Sequence, residues 1–332
     1  MNHEFYMNLA IDEAWKYQLL TYPNPAVGCV ILDKNGKILS IEAHKEAGKA
    51  HAELKAVSKA LKALNLNLDL PQNANDLHEF ICQNHQGLLK GASAYVSLEP
   101  CNHQGKTPPC AKLFSTLGFS EVFIATKDEH KLASGGAEFL KNQGIKVHMG
   151  ICEQRAKELL KPFLKWQKSS FKFFKLALSL NGSAYGKIVS SKASRTYAHA
   201  LRSKLDLLVV GGETIRHDRP ILDARLAQAK AKAPNLCILS RQNLESFDPN
   251  IPLFSVPKRK IFTSIPSKAK FIMYEGGENF LKAFKDELDM FLIFSSSNLN
   301  TFENVKLDLK LKPLYKGFLG NDTYGFYEII KS

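Results

Sequence analysis

Glu99-Pro100-Cys101-Asn102-His103-Gln104-Gly105-Lys106-Thr107-Pro108-Pro109-Cys110, read together with His51-Ala52-Glu53 upstream, decides how this chain of 332 residues is organised. One imidazole and two thiolates are an ordinary three-ligand set for a catalytic Zn²⁺, which keeps its fourth position open for water. His51, Cys101 and Cys110 are the expected ligands, and Glu53 is near enough in sequence to reach that water without ligating the ion. Thr107 is expected to cap a helix with Pro108 at its first position. Cys110 then falls in the first turn, where the helix dipole favours a thiolate. A lone Cys is often just a small buried hydrophobe, but that reading has to explain H-A-E, E-P-C and T-P-P-C together and in this order. A closed structural zinc site would need a fourth protein ligand, and His103 is the one residue that offers itself.

H-x-E followed by P-C and a second Cys is the signature of the zinc deaminases of nucleobases. Most of them place the two cysteines as C-x-x-C, whereas eight residues separate Cys101 from Cys110. That spacing, ending in T-P-P-C, resembles the deaminase half of the bifunctional riboflavin-biosynthesis deaminase/reductase family. The same family carries a P-N-P-x-V-G-C-V run, matched by Pro23-Asn24-Pro25-Ala26-Val27-Gly28-Cys29-Val30. Residues 65–90 are polar, rich in Asn and Gln, and read as an insertion with a short helix at 75–83. They depart from the compact family pattern without removing a site residue.

The pattern around these motifs is that of a layered α/β domain. Apolar residues at helical spacing run over 5–20, and Pro23 and Pro25 then hold a rigid loop. Strands are expected at 27–32, 37–41, 92–98, 122–125 and 145–148, with helices from His51 to Leu64 and near 136–143. Residues 151–168 read as a connecting helix. The expected division is therefore a zinc domain over 1–150, a connecting helix over 151–170, and a second domain over 171–332.

The second half opens with Lys175-Leu176-Ala177-Leu178-Ser179-Leu180-Asn181-Gly182, which resembles the K-L-x-x-S-L-D-G opening of the reductase half of the same family. Asn181 stands in place of the usual Asp. Thr214, Asp218, Pro220, Leu222 and Arg225 follow the order T-(x)3-D-x-P-x-L-x-x-R, and Glu275-Gly276-Gly277 resembles the family's glycine turn ahead of a helix. Such a turn admits a dinucleotide phosphate to the helix N-terminus. A G-E-S-x-W-I-T run is shortened here to residues 185–190, and the tail 301–332 matches poorly.

The resemblance implies a cytidine deaminase-like three-layer N-terminal domain and a dihydrofolate reductase-like C-terminal domain. It implies Zn²⁺ and NADPH as cofactors. It also implies hydrolytic deamination of 2,5-diamino-6-(5-phosphoribosylamino)pyrimidin-4-one with Glu53 as the proton carrier, then reduction of the ribosyl chain to ribityl. Carried over by position, Asn24, His44 and Lys106 contact substrate in the first domain, with His103 a weaker candidate. Lys175, Arg202, Leu222, Arg225 and Glu275 do so in the second, where Arg202 and Arg225 suit a phosphate. Ala177, Thr214, Asp218, Gly276, Gly277, Glu278, Asn279 and Phe280 are the cofactor positions. Asp218 beside Arg219 reads equally well as a structural ion pair. A competing reading is a nucleic-acid or nucleoside zinc deaminase whose C-terminal domain no longer reduces.

Composition fits the two-domain reading. The chain is long for one core, and its 45% hydrophobic and 23% charged residues are those of an ordinary globular protein. No apolar run reaches a membrane span, and Met1-Asn2-His3-Glu4-Phe5 lacks the basic-then-apolar pattern of a leader. Six cysteines in this length are no disulfide framework; Cys29, Cys82, Cys152 and Cys237 read as reduced thiols, with a cytoplasmic location expected. The net charge of +13 invites nucleic acid as a partner, but the lysines are dispersed and only Lys258-Arg259-Lys260 is a tight cluster. No basic groove interleaved with aromatics accompanies it. A small phosphorylated pyrimidine uses the same positive field, so neither a nucleic-acid nor a membrane partner is expected. The family resemblance implies a homo-oligomer.

Overall fold

The computed structural model describes residues 2–330 apart from 66–67, 104, 106, 130–133, 187–188 and 228–230. The chain divides into two compact units, Met1–Phe163 and Leu164–Ser332.

The first unit runs α1 (His3–Trp15), β1 (Gly28–Leu32), β2 (Ile38–Ala43), α2 (Ala52–Leu64), α3 (Ala74–Asn84), β3 (Ser93–Val96), α4 (Cys110–Thr116), β4 (Glu121–Ile124), α5 (Gly136–Asn142), β5 (Lys146–Met149) and α6 (Glu153–Lys168), whose last residues belong to the second unit. Its sheet has the order β2-β1-β3-β4-β5. β1 pairs antiparallel with β2 and β3, while β3-β4 and β4-β5 are parallel. Successive residues of a strand face opposite ways, and both faces here are apolar. Cys29, Ile31, Ala94, Val96, Val122 and Ile124 join a core with Leu54, Val57 and Leu61 of α2, Leu77 and Ile81 of α3, Phe114 of α4 and Leu140 of α5. On the other face Tyr95 and Phe123 stack with His3, and Tyr6 of α1 leans on Tyr95. A Cβ at Gly28 would come within 1.8 Å of the Ala10 carbonyl oxygen, so only glycine lets α1 lie this close to β1.

Local signals place these elements. Asp33 Oδ1 accepts from the amides of Asn35 and Lys37, and Gly36 takes φ 86, which turns β1 into β2. The Asn73 side chain accepts from the amides of Asn75 and Asp76 and so starts α3 inside the insertion. α1 stops at Trp15, short of the expected 20: Leu19 is buried at φ 70, and the buried Gln18 amide donates to the Leu159 carbonyl of α6. Tertiary contact, not the prolines downstream, ends that helix.

The second unit runs β6 (Phe171–Leu178), α7 (Lys192–Arg202), β7 (Leu207–Gly211), α8 (Gly212–Asp218), β8 (Asn235–Leu239), β9 (Ile261–Phe262), β10 (Phe271–Glu275), α9 (Glu278–Phe284), β11 (Met290–Ser295), β12 (Leu311–Leu319) and β13 (Asp322–Ile329). Its sheet has the order β12-β13-β11-β6-β10-β7-β8-β9. The run β11 to β9 is parallel, and the β12-β13 hairpin closes one edge antiparallel. Parallel strands are covered on both faces and read as unbroken apolar runs, as in Phe171-Lys172-Phe173-Phe174 and Leu207-Leu208-Val209-Val210. The poorly matched tail is thus an integral hairpin: Asp322 Oδ2 accepts from the Ser191 amide and the Ser194 hydroxyl, capping α7.

Candidate active sites

In the first unit the ends of three elements bring the zinc motifs together. His51 occupies the N-cap of α2, Cys101 follows β3, and Cys110 is the first residue of α4. His51 Nδ1 lies 3.7 Å from Cys101 Sγ and 3.5 Å from Cys110 Sγ. These three donors, all within 4.8 Å of one another, are the one such His/Cys/Asp/Glu cluster among the described residues. The spacing suits an ion: bonds of ~2.3 Å to sulfur and ~2.0 Å to nitrogen at a tetrahedral angle separate their donors by about 3.5 Å. The protons are arranged accordingly. Cys110 donates to Cys101 through its thiol and its amide, so with His51 beside it the Cys101 pKa is held down to about 4 despite burial. Cys110, loaded with the matching proton and buried, is pushed up.

Glu53 projects from the first turn of α2 and is 4% exposed. Burial lifts its pKa to about 7 against the opposing pull of His51, and the Cys110 thiol contacts it. A carboxyl poised near neutrality beside a metal site both takes and returns a proton. Thr107 does not cap the helix. α4 starts at Cys110 with Pro109 as N-cap and no side-chain cap, because the Thr107 hydroxyl is turned to His51 Nε2 at 3.3 Å. With Nδ1 turned to the sulfurs, Nε2 carries the hydrogen and donates it to Thr107, which fixes the ring.

Two further anchors frame the site. Glu99, 3% exposed, accepts through Oε1 from the amides of Gly135 and Ala137 and through Oε2 from that of Asp128. It thereby ties the start of α5 to Pro100-Cys101, where a Cβ on Gly136 would sit 1.8 Å from the Pro100 carbonyl oxygen. Its partners lie 29 to 38 residues away, and no short-range spacing could have announced them. Beside His51, Asn24 Nδ2 lies 3.2 Å from His44 Nε2, and His44 Nδ1 lies 3.3 Å from the Ala50 carbonyl. A carbonyl only accepts, so Nδ1 carries the hydrogen and Nε2 accepts from Asn24. Burial first, then the neighbouring His51, bring the His44 pKa to about 4 and keep the ring neutral. Its ring centroid is 5.6 Å from that of His51. His103 is exposed in the loop between the cysteines. Lys106 lies outside the described residues.

In the second unit the expected positions gather at the carboxyl ends of adjacent parallel strands, the usual binding edge of such sheets. Lys175 and Ala177 are on β6, Glu275 ends β10, and Thr214 follows β7 in α8. Arg202 reaches Glu275 with its fork, Nη2 lying 2.7 Å and 3.0 Å from the two carboxylate oxygens and Nε 3.2 Å from one of them. That fork is occupied, whereas Arg225 is 54% exposed and holds Asp223 with one nitrogen at 2.7 Å. Burial works to raise Glu275, but the charges of Arg202 and Lys175 outweigh it and hold the carboxyl below its usual range. Burial lowers Lys175, with Glu275 opposing.

Leu222 is buried at φ 56. Arg219 pairs with Asp248 at 2.6 Å and not with the adjacent Asp218, which is left exposed at the end of α8. At the glycine turn, the Phe280 ring packs against Gly211 and Gly276, so its side chain serves the core. Glu278 accepts from Lys282 Nζ and from the Lys306 amide. Gly277 and Asn279 are exposed.

Comparison with known proteins bears on both units. Residues 1–126 match the cytidine and deoxycytidylate deaminase zinc-binding region. Riboflavin biosynthesis protein RibD of Bacillus amyloliquefaciens is 34% identical over 275 residues, 80% of this chain and 67% of that protein. The RibD of Aquifex aeolicus is 36% identical over 242 residues, 70% of this chain and 60% of that protein. The solved structure of a diaminohydroxyphosphoribosylaminopyrimidine deaminase/5-amino-6-(5-phosphoribosylamino)uracil reductase from Thermotoga maritima superposes with a TM-score of 0.65 at 25% identity, covering 99% of both chains. Acinetobacter baumannii RibD gives 0.63 at 26% identity with the same coverage.

Proposed function

The chain belongs to the RibD family of riboflavin-biosynthesis deaminase/reductases, and on that premise we propose that its two units act in succession on one phosphorylated pyrimidine. The first removes the 2-amino group of 2,5-diamino-6-(5-phosphoribosylamino)pyrimidin-4-one by hydrolysis. The second reduces the ribosyl chain to ribityl with NADPH. The convergence of His51, Cys101 and Cys110 beside the buried Glu53 carries the reading.

His51, Cys101 and Cys110 would hold Zn²⁺. A zinc ion so bound acts as a Lewis acid and brings the pKa of a water from ~15.7 down to ~7. Glu53 accepts the first proton of the attacking water and hands it to the ring nitrogen, then takes the second from the hydroxyl on the pyrimidine carbon and delivers it to the departing ammonia as the carbonyl forms. Asn24, held by neutral His44, keeps its amide oxygen for a donor on the pyrimidine. Lys106 is the proposed phosphate contact as a point charge. In the second unit Glu275 and Lys175 face the sugar as a charged pair set by Arg202, and Arg225 takes the phosphate. Ala177, Thr214, Asp218 and the 276–280 turn are the proposed cofactor positions, with main-chain groups as the contacts at Phe280.

A coupled assay that follows ammonia release and NADPH absorbance separately tests the proposal. Glu53→Gln should keep zinc and lower ammonia release about 10²–10⁴-fold, while NADPH oxidation with the deaminated compound stays at the wild-type rate. Ammonia release at the wild-type rate in that variant removes Glu53 from the chemistry.

A further inference from the structure

Lys258-Arg259-Lys260 is the chain's one tight basic cluster, and the reductase reading gives it no role. Lys258 and Lys260 are exposed, but Arg259 is half-buried and turned inward. Among the described residues its guanidinium bonds only to main-chain carbonyls. Nε donates to Pro234 at 3.1 Å, Nη1 to Ile221 at 2.8 Å and to Leu253 at 3.4 Å, and Nη2 to Leu222. Burial brings its pKa to about 10, so it remains charged at neutral pH. Among the described residues no carboxylate accepts from it, and Asp223 opposes the burial from nearby.

Two of the carbonyls it holds, those of Ile221 and Leu222, belong to a stretch with no strand or helix of its own. Residues 219–224 run between α8 and a turn, with Arg219 and Leu222 at positive φ. This stretch is fastened by side chains. Arg259 takes the carbonyls of Ile221 and Leu222, Arg202 Nη1 takes that of Asp223 at 3.4 Å, and His199 Nδ1 accepts from the Leu226 amide at 3.4 Å. Leu222, Asp223 and Arg225 all project from it. Five donors in a rigid fork suit several carbonyls at once, whereas a lysine ammonium at the end of a flexible stem cannot span them.

We propose that Arg259 is a positioning residue of the second active site: it sets the backbone of 221–225, and through it Arg225, for the phosphorylated sugar. The inference rests on the reductase reading above. Arg259→Met and Arg259→Lys in the full chain should raise KM for the deaminated substrate about 10–100-fold. KM for NADPH and the rate of ammonia release should stay within about twofold of wild type. Guanidinium chloride at sub-denaturing concentration should partly restore KM in Arg259→Ala and leave the wild type unchanged.

Hydrogen exchange supplies a readout independent of turnover: in Arg259→Met the peptide spanning 219–227 should exchange faster while β6 and β10 keep their protection. Unchanged exchange there overturns the anchoring. Faster exchange with unchanged substrate KM overturns the positioning role. If the wild type oxidises no NADPH, the reductase reading fails on its own. Calorimetric binding of the deaminated compound to wild type and Arg259→Met then decides the inference, equal affinities overturning it.

Discussion

Thr107 is uncharged and ligates nothing, yet its hydroxyl decides which nitrogen of His51 faces the sulfurs. A neutral imidazole has one hydrogen to place, and a hydrogen bond at Nε2 leaves the lone pair at Nδ1. Removing that bond frees the ring to rotate and lowers its basicity, a change that usually costs about 10–100-fold in metal affinity. Thr107→Val should therefore bind zinc more weakly by that factor in competition with a chromophoric chelator, and Thr107→Ser should not. Equal affinities for wild type and Val would mean that packing alone orients the ring. Glu99 works by the same logic at longer range, with one carboxylate ordering three amides of the segment that backs Pro100-Cys101. Neither role follows from residue type: Thr107 reads as a cap, and Glu99 as part of a motif.

Helix α7 shows what an element contributes beyond its own residues. Its N-terminus is capped by Ser191 and held by Asp322 of the terminal hairpin, and its C-terminal turn presents His199 and Arg202 to the 221–226 stretch. His199 has a side chain 9% exposed. Burial, then the charge of Arg202, bring its pKa to about 4, with Asp223 opposing. The folded pKa is depressed below the ordinary 6.5, so between those values the unfolded chain binds a proton that the folded one refuses. Stability contributed in this way is complete above 6.5 and is lost as pH falls toward 4, amounting to about 1–3 kcal/mol. Thermal melts from pH 7 to 4 should show this slope in the wild type and a shallower one in His199→Asn, whose amide oxygen can still accept from Leu226. A parallel slope in both would assign the acid sensitivity elsewhere. Elements of this kind were readable to different depths. Strands 207–211 and 271–275 announce themselves as apolar runs, and α2 as a periodic face behind His51. The β12-β13 hairpin does not: β12 is a mostly exposed or half-buried edge strand, β13 buries Tyr324 and Phe326 without an unbroken apolar run, and Asp322 ties the hairpin to partners 128 and 131 residues away.

At the scale of the whole molecule, each unit closes its own core. The zinc motifs are set on a cluster built from Cys29 to Ile145, and the second site on one whose buried members run from Phe174 to Phe291. The order of the motifs along the chain already foretold two sites, because H-A-E, E-P-C and T-P-P-C all precede residue 111 and the glycine turn follows residue 270. His51, Cys101, Cys110, Glu53, Thr107, Asn24 and His44 all lie before residue 163, and Lys175, Arg202, Arg225, Arg259 and Glu275 all lie after it. An ion shared by three side chains of the first unit stabilises that unit by RT ln(1 + [L]/Kd), about 2.7 kcal/mol at a hundredfold excess over Kd, and contributes nothing to the second. Stripping the metal with a chelator should therefore abolish ammonia release and lower one melting transition by several degrees. The other transition and NADPH oxidation with the deaminated compound should stay where they were. Added zinc should restore both the release and the transition. If chelation also stops the reduction step, the two sites are coupled through the metal-bearing unit, and the separation of donors by unit is not a separation of function.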